Sequence, residues 1–205
     1  KNKIKENLNL ENGLQKEWLI TNGIGGYAMS TLNGMNTRKY HALLVAAVGK
    51  NLSRYMVLSK INEEVEIEKN IYSIATNECP NYREKGYQWE KYFAKEYLPE
   101  FYFNVQGVEI LKKIGMAHGE NKVVITYVVK TQDSRVKLRL SPLVNFRDFH
   151  QVKSMFHAEQ EVQDGVVKVT LNSKNDLWMK TSEGTYQEYY NTYYQNMMYR
   201  EEKER

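Results

Sequence analysis

The sequence predicts a mostly antiparallel, all-β fold, and two observations support this prediction. The first is that short runs of β-branched and aromatic residues alternate with polar residues at a period of two, as in residues 101–105 and 136–140. This pattern is typical of strands with one buried face. The second is that turn sequences separate such runs, and the dipeptide Asp164-Gly165 tolerates the positive φ angles of a tight hairpin. Successive hairpins indicate a meander or a sandwich.

Strand-like segments cover most of the chain. Beyond the two runs above, they lie at residues 41–48, 55–61, 108–115, 123–130, 166–171 and 177–180. The segment between residues 78 and 99 is polar and aromatic without simple alternation, so we interpret it as a long surface excursion. Residues 186–205 contain Tyr and Met at spacings that suit a helix face, but so many Tyr also suit a strand. The sequence leaves this choice open.

Length and composition are consistent with one domain that spans residues 1–205. A chain of 205 residues exceeds the usual domain size, yet β-sandwiches often reach this length undivided. The apolar fraction of 41% is modest, but 16 Tyr add rings that can be buried while their hydroxyls stay in water. A sizeable hydrophobic core is therefore expected.

Charge and cysteine content exclude several classes of partner. The 29 Lys and Arg alternate with the 25 Asp and Glu along the chain, so no basic stripe forms and no nucleic-acid partner is predicted. The longest apolar run, residues 42–48, is far shorter than the ~20 residues of a membrane helix. A single cysteine, Cys79, cannot form an internal disulfide, and no export signal is recognisable. We expect a cytoplasmic protein without a membrane partner.

The most unusual segment contains three closely spaced glycines. Within residues 17–28, Gly23, Gly25 and Ala28 fit a variant of the dinucleotide-binding fingerprint. The context argues against that reading, because turn residues follow where a helix should continue and no acid stands where the ribose carboxylate belongs. Taken alone, the glycines supply the backbone freedom for a turn between two strands.

Two strings in this region resemble the signature of a known family. Residues 18–27 read WLITNGIGGY and residues 36–44 read NTRKYHALL. In this order they resemble the opening of the amino-terminal domain of bacterial and archaeal glycogen debranching enzymes, with Ala42 at a position that is commonly Gly. Agreement continues at residues 116–121, 140–150 and 199–205, so the resemblance spans nearly the whole chain.

The resemblance implies a fold, a partner and a substrate. The fold would be a large antiparallel β-sandwich, supersandwich-like, with few or no long helices. In this family the sandwich is joined to an (α/α) barrel, an amylo-α-1,6-glucosidase that hydrolyses α-1,6-linked glucose at glycogen branch points. The implied partners are that carboxyl-terminal helical-barrel catalytic domain of the same protein and glycogen or a branched α-glucan. Since the barrel is absent from these residues, the chain alone is expected to be inactive.

Five residues in the two strings are candidates for substrate binding. Arg38 can donate its planar guanidinium to sugar hydroxyls, and Asn22 and Thr37 can add directional hydrogen bonds. Tyr27 and Tyr40 offer rings for stacking. Alternatively, Arg38 and Asn22 only satisfy carbonyls of their loops. The sequence leaves both interpretations open.

No catalytic residue is assigned to the chain. Glycoside hydrolysis uses two carboxyl groups on either side of the scissile bond. The acids nearest the motifs show no spacing that marks an opposed pair; they are Glu17, Glu63, Glu64 and Asp148. The resemblance places the catalytic acids in the barrel.

The histidines and the polar cluster near residue 147 are interpreted as structural. His41 precedes an apolar strand, where a histidine is more often a hydrogen-bonded core residue. His118 and His157 lack partners at metal-ligand spacing, so neither a metal nor another cofactor is expected. The run 147–150 contains Arg, Asp and His, which suggests an ion pair that fixes a loop.

The sequence leaves two other functions open. A free-standing glucan-binding module would need exposed aromatic rings, for which Tyr87, Trp89 and Tyr92 are candidates, although these rings can equally fill a strand surface. An interaction domain without a role in sugar binding is the second alternative.

Overall fold

The computed structural model describes residues 9–49, 51, 53–132, 135–152, 158–188 and 198–202. Fifteen strands, one α-helix and two short 3-10 turns account for the regular structure of these residues. The helix α1 is Leu10–Gln15 and the 3-10 turns are Gly86–Gln88 and Arg200–Glu202. The strands are β1 Glu17–Thr21, β2 Tyr27–Thr31, β3 Ala42–Val48, β4 Ser53–Ile67, β5 Asn70–Ser73, β6 Thr76–Cys79, β7 Tyr82–Lys85, β8 Glu90–Lys95, β9 Pro99–Val105, β10 Val108–Met116, β11 Val123–Lys130, β12 Val136–Asp148, β13 Glu159–Gln163, β14 Val166–Asn172 and β15 Asn175–Lys180.

Two larger sheets and two smaller ones form from these strands, and every strand pair is antiparallel. The first sheet has the order β1-β2-β3-β4-β12, with β5 also paired to β4. The second has the order β11-β10-β9-β8. A three-stranded sheet, β13-β14-β15, and the hairpin β6-β7 complete the fold. The prediction of an all-β, antiparallel fold with few helices is confirmed. No helix in the described part of the chain is long and apolar enough to cross a membrane.

The main hydrophobic core lies between the first and second sheets. Trp18 of β1 packs edge-on against Phe101 of β9, with ring centroids 6.0 Å apart, and its indole Nε1 donates to the carbonyl of Thr31. The core also includes Val65 from β4 and Ile110 from β10, both fully buried. Burying an aliphatic or aromatic side chain of this size stabilises the fold by roughly 1.5–3 kcal/mol. Period-two alternation therefore selects one face of each strand for this core.

A buried polar group also crosses between the two sheets. The Glu63 carboxylate on β4 accepts hydrogen bonds from the Lys112 ammonium on β10 and the Tyr127 hydroxyl on β11. Burial, followed by the nearby Glu63 charge, raises the pKa of Tyr127 well above its ordinary value. Glu90 lies nearby with neither carboxylate oxygen hydrogen-bonded among the described residues. Burial raises its pKa well above the usual range, which favours the neutral form of this side chain.

The fold confirms one expectation about an individual segment and contradicts another. The hairpin prediction is confirmed, because Asp164 and Gly165 both have positive φ angles, 52° and 72°, and connect β13 to β14. The interpretation of residues 78–99 as a surface excursion is wrong, since β7 and β8 lie there and Phe93 is buried. For the stretch 186–205, residues 189–197 and 203–205 lie outside the described residues.

Two asparagine amides fasten the second sheet to the first. Asn121, in the loop between β10 and β11, accepts from the backbone N–H of Ala47 at 3.0 Å and donates to the Ala47 carbonyl at 2.7 Å. Its side chain thereby pairs with β3 as another strand would. Asn22, after β1, donates to Asn121 Oδ1 at 3.2 Å and to the Glu120 carbonyl at 2.9 Å. The Gly119 N–H in turn donates to the Asn22 carbonyl at 2.7 Å.

Gly26 is required at this junction because there is no room for a side chain. A Cβ at Gly26 would lie 2.4 Å from Asn22 Nδ2, 2.9 Å from Asn121 Oδ1 and 2.9 Å from the Val45 carbonyl oxygen. Real Cβ atoms do not approach other heavy atoms so closely. Packing therefore requires a glycine at position 26. At Gly23 and Gly25 the requirement is the backbone conformation, since their φ angles are 82° and 98°.

We expect Gly26→Ala to lower the free energy of unfolding by about 1–3 kcal/mol, because the added methyl group has no room beside Asn22 and Asn121. Gly115→Ala is the matched control. Gly115 also lacks a positive φ, and its Cβ would meet the Leu98 side chain at an ordinary 3.6 Å, so it should change stability by less than about 1 kcal/mol. Chemical denaturation of both variants measures the difference, and equal losses would contradict the packing argument.

Candidate functional site

A surface pocket of about 650 Å³ lies on the outer face of the first sheet. Because side chains alternate across a strand, Trp18 and Ala28 enter the core while their neighbours on β1 and β2 face the pocket. The connection between β2 and β3, the start of β4 and the residue after β12 complete the walls. The lining residues are Glu17, Leu19, Thr21, Gly23, Gly25, Gly26, Tyr27, Met29, Arg38, Tyr40, Arg54 and Phe149.

The glycine-rich loop between β1 and β2 is shaped by the Asn22 side chain. Asn22 Oδ1 accepts from the backbone N–H groups of Ile24 at 3.1 Å and Gly26 at 2.9 Å, so it replaces backbone partners within the turn. Its two amide hydrogens are directed at the Glu120 carbonyl and Asn121, as described above. Asn22 is fully buried, and its side chain is used by its own loop through Oδ1 and by the β10–β11 loop through Nδ2.

Asn22 and Thr37, two of the five candidate binding residues, do not line the pocket. Thr37 is 1% exposed; its N–H donates to His41 Nδ1 at 3.0 Å and its carbonyl accepts from Glu201 N–H at 3.1 Å. A side chain with no exposed surface cannot contact a ligand in this conformation. The structure therefore gives both residues a role in shaping loops, and the pocket-facing candidates are Tyr27, Arg38 and Tyr40.

Arg38 is held at the pocket by a carboxylate on the neighbouring strand. Its Nε donates to Glu17 Oε1 at 2.6 Å, and this hydrogen bond is the largest contribution that raises the pKa of Arg38. The Nη1 and Nη2 atoms make no hydrogen bond to another described residue. About a third of the side chain is exposed, so these groups are available to a molecule in the pocket.

His41 contacts the same carboxylate oxygen of Glu17 as Arg38 does. Its Nδ1 faces the backbone N–H groups of Thr37 and Arg38 at 3.0 and 3.4 Å. Because an N–H can only donate, Nδ1 carries no proton and the hydrogen of the neutral ring lies on Nε2. Nε2 then donates to Glu17 Oε1 at 3.0 Å. Burial lowers the pKa of His41 below 6.5, more than the Glu17 charge raises it, in agreement with a neutral ring. The interpretation of His41 as a hydrogen-bonded buried residue is confirmed.

Aromatic side chains form the opposite wall of the pocket. The Tyr27 hydroxyl donates to the Tyr40 carbonyl at 3.0 Å, and burial raises the pKa of Tyr27 to about 12, so it remains a phenol. The Tyr40 ring packs against Phe149 with centroids 5.6 Å apart. The Arg54 guanidinium lies 5.4 Å from the Phe149 ring centroid and its Nε donates to the Gly25 carbonyl. The wall thus combines rings with a second fixed cation.

Arg147 supports the loop that carries Arg38 and Tyr40. It is 3% exposed and donates to the carbonyls of Lys39, Asp148 and Gln151. No carboxylate of the described residues pairs with it. The prediction of an ion pair within residues 147–150 is therefore wrong, because the Nη groups of Arg147 donate to carbonyl oxygens instead of a carboxylate. Its expected role in fixing a loop is confirmed.

The segment 198–202 contacts both sides of the Arg38 position. Glu201 N–H donates to the Thr37 carbonyl at 3.1 Å, and the Glu202 carboxylate accepts from Lys39 N–H at 3.4 Å. Arg200 binds the Glu78 carboxylate through Nε and Nη2. This pairing with Arg200, followed by that with Arg83, lowers the pKa of Glu78 to about 2 although burial opposes it. The segment is therefore anchored to β6 and to the Arg38 loop at once.

Sequence reasoning found part of the pocket and missed the rest. Tyr27, Arg38 and Tyr40 were expected there, whereas Glu17, Arg54 and Phe149 were not proposed as binding residues. Glu17 had a recoverable signal, since it stands at the outward phase of β1, directly before the inward Trp18. Arg54 and Phe149 are far from the motifs in sequence, and only the pairing of β3 with β4 and of β4 with β12 places them at the pocket.

The comparison with protein families explains the two strings. The family described as glycogen debranching enzyme N terminal matches residues 16–205. The chain belongs to this family. The predicted resemblance is thereby confirmed, and the family's two signature strings form the rim of the pocket, since they contain Tyr27, Arg38 and Tyr40. No match was found among curated proteins or among solved structures. Within the described residues, no group of three or more His, Cys, Asp or Glu is arranged to hold a metal ion.

We expect the lowered pKa of His41 to make stability fall as the pH drops below about 6.5. In that range the unfolded chain binds a proton at this histidine and the folded chain does not, so protons favour unfolding. His41→Gln keeps one donor and one acceptor but does not titrate. Between pH 6.5 and 5, the free energy of unfolding should vary less steeply in the variant, by up to about 1.4 kcal/mol per pH unit. Identical slopes in urea titrations would contradict the assignment.

Proposed function

We propose that residues 1–205 are the single, non-catalytic amino-terminal domain of a glycogen debranching enzyme. In this proposal the pocket on the first sheet helps to form the α-glucan site at which a helical-barrel catalytic domain hydrolyses α-1,6-linked glucose at branch points. Membership of the family supports the parent enzyme, and the pocket supports the location of the site. The single, half-buried Cys79 and the absence of a basic stripe are compatible with a cytoplasmic enzyme that acts on a neutral polymer.

The observation that carries the proposal is the arrangement of Arg38. Its Nε is occupied by Glu17, which fixes the orientation of the guanidinium, and its Nη groups stay available at the pocket. A glucose unit presents hydroxyls and no charge, so a fixed planar donor can hold more than one oxygen. Tyr40 and Phe149 provide rings, and Leu19 and Met29 provide apolar surface, against which the C–H faces of a sugar can pack.

The acids that cleave the bond are assigned to the catalytic domain. Hydrolysis needs two carboxyl groups about 5–10 Å apart. Among the described residues that line the pocket, Glu17 is the one carboxylate, and it is tied to Arg38 and His41.

The alternative of a free-standing glucan-binding module is less well supported. Its three candidate rings are half-buried, and two of them pack on neighbours: Trp89 packs edge-on against Tyr72 at 5.6 Å, and Tyr92 stacks on Tyr102 at 4.8 Å. A binding platform needs rings whose faces are free for the sugar. These contacts therefore favour the accessory role in a larger enzyme.

In the full-length enzyme we expect Arg38→Ala to lower kcat/KM on a branched dextrin by about ten- to hundredfold, the effect of losing a hydrogen bond to a charged donor. Arg38→Lys should restore little of this loss, since an ammonium cannot reproduce the planar guanidinium. Steady-state kinetics measure the loss, and calorimetry confirms folding.

Arg139→Ala is the matched control for this experiment. Arg139 also pairs with a glutamate of the first sheet, Glu66, but neither residue lines the pocket, so its kinetics should be unchanged. Unchanged kinetics in a folded Arg38→Ala enzyme would reduce Arg38 to a support for its loop and would contradict the proposed site.

A further inference from the structure

Glu17 presents one carboxylate oxygen that no described residue uses. Both Arg38 Nε and His41 Nε2 donate to Oε1, at 2.6 and 3.0 Å. Oε2 accepts no hydrogen bond from the described residues, and the Glu17 side chain retains 28% of its exposure at the pocket. An ionised carboxylate offers about four lone-pair directions, so this group has acceptor capacity left for a molecule in the pocket.

The carboxylate is also held in place before any ligand arrives. Glu17 is the first residue of β1 and lines the pocket, and Arg38 and His41 both restrain it through Oε1. His41 is itself locked by the backbone N–H of Thr37 and by complete burial. Fixing a side chain in advance removes the entropy that ligand binding would otherwise have to overcome.

Glu17 and Arg38 together present an acceptor beside a donor. Each hydroxyl of a pyranose can donate one hydrogen and accept at its oxygen, and adjacent hydroxyls on the ring lie close enough for two neighbouring protein groups to hold both. An acceptor next to a donor therefore complements a pair of adjacent hydroxyls. Two donors alone, or two acceptors alone, would not use both capacities of the pair.

We propose that Glu17 and Arg38 recognise two adjacent hydroxyls of one glucose unit, one hydroxyl donating to Glu17 Oε2 and the other accepting from Arg38 Nη. This inference rests on the proposed function, and it assigns a substrate contact to Glu17 and a positioning role to His41. The site then distinguishes a glucose unit with both hydroxyls free from one in which either is missing or substituted, because the unmatched polar group would stay buried against the ligand.

Glu17→Gln is the variant that tests the contact. The glutamine carbonyl can still accept from Arg38 and His41, but its NH₂ replaces the acceptor that faces the ligand. In the full-length enzyme we expect KM on a branched maltosaccharide to rise by about ten- to hundredfold. The value of kcat should stay within about twofold, because the carboxyl groups that cleave the bond are assigned to the catalytic domain and Glu17 is assigned to binding alone. Glu66→Gln, which alters the other Arg-paired glutamate of the first sheet, should leave both constants unchanged.

Deoxy substrates identify the hydroxyl and separate recognition from folding. With a set of branched maltosaccharides that each lack one hydroxyl, the wild-type enzyme should lose about tenfold or more in kcat/KM at a particular position. Glu17→Gln should lose little more at that same position, since the contact is already absent. If Glu17→Gln does not fold, Glu17→Asp, which withdraws the carboxylate by one methylene, replaces it in this comparison.

The outcomes distinguish this inference from the function on which it rests. Additive losses for variant and deoxy substrate, or a wild-type enzyme indifferent to every deoxy substrate, would overturn the contact at Glu17. If either of these results is found while Arg38→Ala still lowers kcat/KM, the proposed function stands without the contact at Glu17. His41→Gln should raise KM in the same direction by a smaller factor, because it loosens the carboxylate without removing it. A loss of melting temperature with unchanged KM would leave His41 as a structural residue only.

Discussion

The amide contact between Asn22 and Asn121 is the constraint on which the candidate site depends. It joins the glycine-rich loop of the first sheet to the β10–β11 loop of the second, and Asn121 extends the pairing of β3 through both polar groups of Ala47. Asn22 is fully buried, and a buried amide must find partners for its hydrogens, so its loop is held where the bonds to Glu120 and Asn121 can form. The pocket is built on the side of the loop that this contact leaves exposed.

This constraint explains why the glycine-rich segment resembles a dinucleotide-binding fingerprint without forming a phosphate site. Gly23 and Gly25 are needed for their backbone conformation, and Gly26 is needed because the asparagine amides occupy the space of a side chain. A dinucleotide site would direct backbone N–H groups at a ligand, whereas here the N–H groups of Ile24 and Gly26 are consumed by Asn22. The glycine spacing is the same in both kinds of loop. The partners of the backbone N–H groups distinguish this loop from a dinucleotide site.

The sequence was informative where local rules apply and uninformative where distant segments meet. Alternation predicted the strands because each has one buried face, and Asp164-Gly165 predicted its hairpin because few residues accept those angles. The motif strings located Arg38 and Tyr40. The segment with β7 and β8 was misread, since short strands interrupted by Gly86 carry no clear period. Arg54 and Phe149 reach the pocket through strand pairing over long sequence distances, and no local signal in the sequence indicates that Asn22 and Thr37 are buried away from the pocket.

The anchoring of residues 198–202 has a thermodynamic consequence. This segment touches the loop that carries Arg38 through Thr37 and Lys39, and Arg147 connects the same loop to Tyr199. Displacing residues 198–202 would therefore break contacts that hold the loop carrying Arg38. Linkage is reciprocal: if moving the segment weakens ligand binding at the pocket by some factor, an occupied pocket resists that movement by the same factor. A ligand in the pocket would therefore stabilise the position of residues 198–202 without contacting them.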